Sequence, residues 1–365
     1  MGVIIIGSGN HHNILGVIRA LGEQGVNFEL ITYGNVNKHY VSSSKYVSKH
    51  VAFEEPSDVI KYLSERSCYN EGKAVIISCA DVITELLNMH YMSLSDKYIL
   101  PGFKTPEQVQ VLMDKSTMID IAKRCGMSSP AIWTLPSDFN FVKYPCITKS
   151  NSSSHGGKES VLILDSPQQL HNFLKNQPSA VFAQEYIQKK EEVQFIGISL
   201  YHGKEVIIPG MTKIIRSQPN TNTGFLEYGP VEPFYQEIVN KAKSYFKDCG
   251  YSGLFSIEFI RDHQDKVYFL EVNFRNDGNA WCVTKAGINL PLIWVKACRG
   301  ESYKEEIKDP RQILMMPEFQ DFKLVLQRKV SILKWIKDWR NTDYFMEYDK
   351  HDRMPFFKYI IDKIR

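Results

Sequence analysis

The strongest constraint on the fold is an alternation in the first eighty residues. Short apolar runs at Val3–Ile6, Phe28–Thr32 and Ala74–Ala80 are separated by stretches of helical spacing, of which "ILGVIRALGEQG" is closed by Gly25. Strands buried on both faces read as continuous apolar runs, and a helix between two of them returns the chain for parallel pairing. The alternation predicts a doubly wound parallel sheet. From about residue 141 the texture changes. "YPCITKS", "ESVLILD", "AVFAQEYI", "VQFIGISLY" and "EVIIPGMTKIIRS" are strand-like pieces between turns, which predicts antiparallel sheet with helices, an α+β region. Between the two regions, "TPEQVQVLMDKSTMIDIAKRCG" predicts one helix with Thr105 as N-cap, Pro106 at its first position and Gly126 past its end.

Composition narrows the function classes. Lys and Arg exceed Asp and Glu by 44 − 41 = 3, too small a bias to argue for nucleic acid. Seven cysteines with no C-x-x-C pair argue for a reducing compartment and against a disulfide framework or zinc knuckle. "MGVIIIGSGN" reads as a strand and not as a signal peptide, and no apolar run approaches the roughly 20 residues of a membrane span. These features predict a cytoplasmic protein.

The chemistry is concentrated in a predicted hairpin, Gly253–Arg261 and Lys266–Asn273, joined by "DHQD". Each strand carries a carboxylate in an apolar setting, Glu258 in "FSIEFI" and Glu271 in "FLEVN". An ionised carboxylate there is costly unless a cation or hydrogen bonds compensate it. Alternation puts Glu271, Asn273 and Arg275 on one face, and a register with Glu258 opposite Glu271 gathers two carboxylates and an amide oxygen. Hard oxygen donors of this kind suit Mg²⁺. The same pattern is compatible with two glutamates facing solvent on an open sheet. Lys149 ends the strand "YPCIT" and opens "SNSSSHGGKES", whose small residues offer backbone N–H groups to a phosphate. Gly156–Gly157–Lys158 is not a P-loop, because Glu159 stands where Ser or Thr is required.

Taken in order, "MDKSTM", "YPCITKS", "SNSSSHGG", "AQEYIQKKEEVQF", "FSIEFI" and "FLEVNFR" resemble the ATP-grasp superfamily, in its carboxylate–amine ligase branch. The resemblance spans roughly residues 1–300. It implies an α/β, Rossmann-like pre-ATP-grasp domain (1–104), a two-lobed α+β ATP-grasp domain (105–300, lobes about 105–184 and 185–300) and a helical C-terminal extension (301–365). By the same resemblance Lys115 and Lys149 contact ATP phosphates, and Ser152, Ser153, Ser154, His155, Gly156 and Gly157 close over them. Gln184, Glu185, Tyr186 and Ile187 meet the adenine edge, and Glu192 takes a ribose hydroxyl. Glu258, Glu271 and Asn273 hold Mg²⁺, or Mn²⁺ in its place. Arg275 stabilises charge on the transferring group, with Lys213 and Arg216 as further cations whose alternative is a solvated strand edge. The implied reaction activates a carboxylate as an acyl-phosphate, which an amine then attacks.

"NDGNAWCVTKAGINLP" and the tail "YFMEYDKHDRMPFFKYIID" are similar to D-aspartate ligases and polysaccharide-biosynthesis relatives, which implies an amino acid or small acid added to an envelope precursor. Two other readings are set against the ligase. One is a non-catalytic nucleotide-binding scaffold. The other is an NAD-dependent oxidoreductase, suggested by "GSGNHHNILG", whose glycines lack G-x-G-x-x-G spacing. Finally, residues 320–340 place six Lys/Arg and two Asp on an amphipathic helical pattern, compatible with a peripheral contact at the inner membrane face, a homodimer interface or packing on the protein's own core.

Overall fold

The computed structural model describes residues 2–35, 39–67, 72–150, 162–175, 181–217 and 223–364. The N-terminal alternation folds as expected. Val3–Ser8, Glu29–Tyr33 and Ala74–Ser78 are parallel neighbours, flanked by Lys49–Phe53 and Tyr98–Ile99 at the two edges of a five-stranded parallel sheet. The edge strands escape the apolar-run criterion because Lys49–Phe53 is only partly buried and Tyr98–Ile99 is two residues long. The glycines of "GSGN" have a packing cause. A Cβ on Gly7 would lie 2.8 Å from the Cys79 Cβ, and one on Gly9 would lie 2.2 Å from the His39 ring.

The second region has two antiparallel-based sheets. A four-stranded sheet holds Ile132–Thr134, Val181–Glu185, Cys146–Ser150 and Ile163–Leu164 in that order. The larger sheet runs Val267–Asn273, Tyr251–Asp262, Lys189–Leu200, Met211–Ser217, Gly224–Gly229, Ile313–Met316 and Tyr344–Phe345. Its strands alternate. Val193, Phe195, Ile257, Phe259, Phe269 and Val272 point into a core shared with helices Lys115–Arg124 and Gln236–Cys249. Ile196, Ile198, Leu226, Tyr228 and Leu254 point the other way, into a core shared with the N-terminal helix His12–Gly22 and helix Leu290–Arg299. The C-terminal region is largely helical, with helices Glu318–Leu326, Ile332–Asn341 and Met354–Ile364, and also contributes the last two strands of the large sheet.

One expectation is corrected. The helix predicted over 105–126 is broken into a short turn at Pro106–Gln108, a helix Val109–Leu112 and a second helix Lys115–Arg124. Asp114 causes the break: its carboxylate accepts from the N–H groups of Ser116 and Thr117 at 2.9 and 3.2 Å, starting a new helix. Thr105 makes no cap bond, whereas Gly126 adopts the expected left-handed closure at φ 75°.

Candidate active site

The hairpin strands Tyr251–Asp262 and Val267–Asn273 pair in the register that sets Glu258 opposite Glu271 and Ser256 opposite Asn273. A shift after Glu258 restores pairing from Phe259 to Phe269 onwards, so both carboxylates stay on one face while the phenyl rings fill the opposite core. Glu258 is buried and Glu271 half-buried. Asn273 lies between them and Arg275, its Nδ2 donating to Glu258 Oε1 at 2.9 Å and its Oδ1 accepting from the Arg275 guanidinium at 3.1 Å. Gln194, directly across the sheet from Glu258, donates to the same Oε1 at 3.4 Å. Lys115, at the start of the helix that Asp114 caps, brings its Nζ to 3.8 Å from Glu271.

Arg275 is fixed from several sides. Its Nε donates to Asp81, and its Nη1 to Asp277 and to the Asn276 carbonyl, each at 3.1 Å. Burial opposes its charge, but Asp81 and Asp277 hold it firmly cationic. Phe274, between Asn273 and Arg275, points into the opposite core against Phe103 and Tyr251. Its carbonyl accepts from Thr84 Oγ1 at 2.8 Å and Tyr251 Oη at 2.9 Å. Next, Asn276 N–H donates to the Ser78 carbonyl at 3.0 Å, and Asn13 Nδ2 donates to the Asn276 and Cys79 carbonyls at 2.7 and 2.9 Å. The exit of the hairpin is thus bolted to the C-terminal edge of the parallel sheet, where ligand crevices of open α/β sheets lie.

The electrostatics of the pair are dominated by acids, with Arg275 as the cation that opposes them at Glu258. Burial pushes the Glu258 carboxyl well above its usual range, and the nearby carboxylates of Glu271, Asp277 and Glu192 push it further. A buried acid surrounded by acids is relieved by a bound cation. Two carboxylates and an amide are gathered here; among the described residues no cluster of three or more His, Cys, Asp or Glu side chains suited to a metal occurs. A hard divalent ion that keeps water and phosphate oxygens as its other ligands fits such a set.

The other expected site residues divide. Glu192 lies on the same sheet face as Gln194, two residues away along Lys189–Leu200, and its carboxylate pairs with Lys189 at 2.6 Å. Gln184 is buried in strand Val181–Glu185. The N–H groups of Glu185 and Tyr186 are committed to the carbonyls of Ala131 and Pro145, at 2.8 and 3.2 Å. Ile187 follows them at the strand's end. Lys149 sits opposite Phe182 in the small sheet. Ser152, Ser153, Ser154, His155, Gly156 and Gly157 lie outside the described residues.

Lys213 and Arg216 are not brought to the carboxylates. Lys213 pairs across the sheet with Val193, so it stands on the face opposite Gln194 and Glu258, where Glu191 and Glu232 hold it. After a bulge, Arg216 makes a two-pronged contact with Asp321 at 2.9 and 2.6 Å and reaches Asp338 at 2.6 Å, tying the strand to the C-terminal helices. Conversely, Asp81, Gln194, Ser256 and Asp277 join the site without having been expected as partners of Arg275 and the glutamates. A hint existed for Asp81: it opens the helix that follows the strand Ala74–Ser78, at the sheet edge where ligands gather.

Residues 230–322 match a family model described as ATP-grasp in the biosynthetic pathway with Ter operon. No curated protein sequence matches the chain. Among solved structures, N5-carboxyaminoimidazole synthetase from Staphylococcus aureus, complexed with ADP, is similar at TM-score 0.68 and 15% identity, over 90% of this chain and 85% of that one. The L-amino acid ligase from Bacillus licheniformis is similar at TM-score 0.65 and 15% identity, over 86% and 79%. The biotin carboxylase domain of a Hydrogenobacter thermophilus 2-oxoglutarate carboxylase, solved with MgADP and bicarbonate, is similar at TM-score 0.66 and 16% identity, over 86% and 73%. The fold is the ATP-grasp fold. The matched stretch 230–322 carries the paired glutamates, Asn273 and Arg275 within it.

Proposed function

We propose that this protein is an ATP- and Mg²⁺-dependent carboxylate–amine ligase. The observation that carries the reading is the Glu258–Glu271 pair: two carboxylates held face to face on a sheet, one buried and driven toward its protonated form, with an amide and a fixed guanidinium alongside. Glu258 and Glu271, with Asn273, would hold the ion, which when bound neutralises charge on the nucleotide's phosphates. Glu258 would serve as a ligand in its ionised form, without the proton that burial favours.

In this reading the chain supplies position and charge. A substrate carboxylate oxygen attacks the γ-phosphorus and ADP leaves; an amine then attacks the acyl carbon, loses a proton, and phosphate departs with the C–O bond's electrons. Arg275, anchored by Asp81 and Asp277, is set to meet negative charge that grows on the transferring group without moving to do so. Lys115 offers a second cation beside Glu271. Lys149 and residues 152–157 would close over the phosphates, residues 184–187 would receive the adenine and Glu192 the ribose. The division at 1–104, 105–300 and 301–365 belongs to this reading. So do the use of Mn²⁺ in place of Mg²⁺ and a small acid or amino acid as one substrate, with an envelope or polysaccharide precursor as its finer form. The structural relatives that are an amino acid ligase and nucleotide-bound synthetases support the general reaction.

The test is ADP release by the purified full chain across a panel of small carboxylic acids and amines, with ATP and Mg²⁺. Turnover that needs one acid and one amine together is expected. Absence of ATP binding together with absence of turnover for every pair would sink the ligase reading, and ATP binding with no turnover would favour the scaffold.

A further inference from the structure

We infer that the C-terminal helices form a docking surface for an anionic lipid interface, a property separate from the ligase reading. Helix Ile332–Asn341 turns Trp335 inward against Phe322, at 5.0 Å between rings, and leaves its other apolar residues outside. Leu333 is 79% exposed, Ile332 46%, Trp339 44% and Ile336 36%, and Leu326 at the end of the preceding helix is 71% exposed. On a helix Ile332, Ile336 and Trp339 share a stripe, with Leu333 beside Ile336. The stripe continues through ring contacts from Trp339 to Phe345, at 5.7 Å, and from Phe345 to Tyr348, at 6.5 Å. A group of exposed apolar side chains at one place marks an interaction site.

The charges around the stripe decide what would cover it. Lys323, Arg328, Lys329, Lys334, Lys337 and Arg340 are all exposed. The acids of the same region are nearly all turned inward. Asp321 and Asp338 are spent on Arg216, Asp349 on Lys285, Asp352 on Arg19 and Asp362 on Lys358, while Glu318 and Glu347 are buried. Only Asp343 remains exposed among the described acids from 318 to 364. The fold has therefore sorted a mixed sequence into a basic, apolar outer face. A second copy of the chain would set the same six cations against one another. A surface of anionic headgroups over acyl chains accepts both components, with long Lys and Arg side chains reaching the headgroups. No helix among the described residues is long and apolar enough to cross a membrane, so the contact is one of lying on the surface.

Co-sedimentation of the full chain with vesicles tests this. Binding is expected to phosphatidylcholine vesicles containing a third phosphatidylglycerol, weakening steeply with salt, and not to phosphatidylcholine alone. Neutralising three charges together (Lys334→Gln, Lys337→Gln, Arg340→Gln) is expected to weaken binding on the order of 100-fold, from about 1 kcal/mol per basic residue. Leu333→Ser with Ile336→Ser should weaken it as well, and both variants should keep the wild-type melting temperature. No wild-type binding to anionic vesicles, or wild-type binding by both variants, overturns the inference. A monomer–dimer equilibrium in sedimentation velocity that Leu333→Ser with Ile336→Ser abolishes, with vesicle binding absent, reassigns the face to self-association.

Discussion

Replacing Glu258 by Gln separates the metal account from a purely structural role for this carboxyl. Gln keeps the oxygen that accepts from Asn273 at 2.9 Å and removes the ionisation. The groups facing position 258 are Glu271, Asp277 and Glu192, which disfavour its charge, and Arg275, which favours it; burial adds the largest share. Since the folded carboxyl has a raised affinity for its proton, the folded chain binds more protons than the unfolded one above the ordinary value of 4.5. Stability from this group is therefore full below that value and is lost as pH rises toward the folded value. Within that window wild-type stability falls relative to Glu258→Gln by about 1.4 kcal/mol per pH unit. At about 2.1 cal/mol/K per residue over 365 residues, that is about 2 °C per unit if the chain melts as one body. Calorimetry without metal should show Glu258→Gln gaining on wild type by this slope, then running parallel to it. Mg²⁺ at 100 times its Kd should restore about 2.7 kcal/mol to wild type and little to the variant. A constant gap across pH, or equal response of both proteins to Mg²⁺, would refute the reasoning.

Other perturbations address the supports of the site. Arg19 is fully buried and donates to the carbonyls of Met346, Glu347 and Asp352 and to the Asp352 carboxylate, so Arg19→Met should cost about 3–5 kcal/mol and expose the 344–352 segment to protease. Asp114→Ala removes the cap that begins the Lys115 helix; about 1 kcal/mol of stability should be lost, with a raised KM for ATP in steady-state assays. Asp81→Asn leaves Arg275 its charge but loosens its Nε, and is expected to lower kcat for ADP release more than tenfold with KM for ATP little changed. Arg216→Met, by contrast, should lower the melting temperature through Asp321 and Asp338 and leave KM for ATP near wild type.

Where periodicity governs, the sequence carries the answer. The strands Val3–Ser8, Glu29–Tyr33 and Ala74–Ser78, the hairpin and the shared face of Glu271, Asn273 and Arg275 follow from apolar runs and alternation, because burial leaves each strand one workable orientation. Competition between local signals is harder to read. Thr105–Pro106 and Asp114–Lys115 are both plausible helix starts, and the Asp114 carboxylate, with two backbone donors in reach, is the one that makes cap bonds. Register is also hidden. Lys213 and Arg216 sit in a strand rich enough in charge to look like a ligand edge, and only pairing with Val193, and a bulge before Arg216, sends them elsewhere. Contacts that span the chain, such as Asp81 with Arg275 or Arg19 with Asp352, leave no periodic trace at all.

In the proposed ligase, Glu258 and Glu271 together would hold the divalent ion of a nucleotide site. The most direct measurement is electron paramagnetic resonance of Mn²⁺ titrated into the protein with and without ATP. ATP-enhanced binding of Mn²⁺ is expected in wild type, competed by Mg²⁺, and is expected to be lost in Glu258→Gln with Glu271→Gln while the chain remains folded. Mn²⁺ binding of equal strength in that double variant would contradict the assignment.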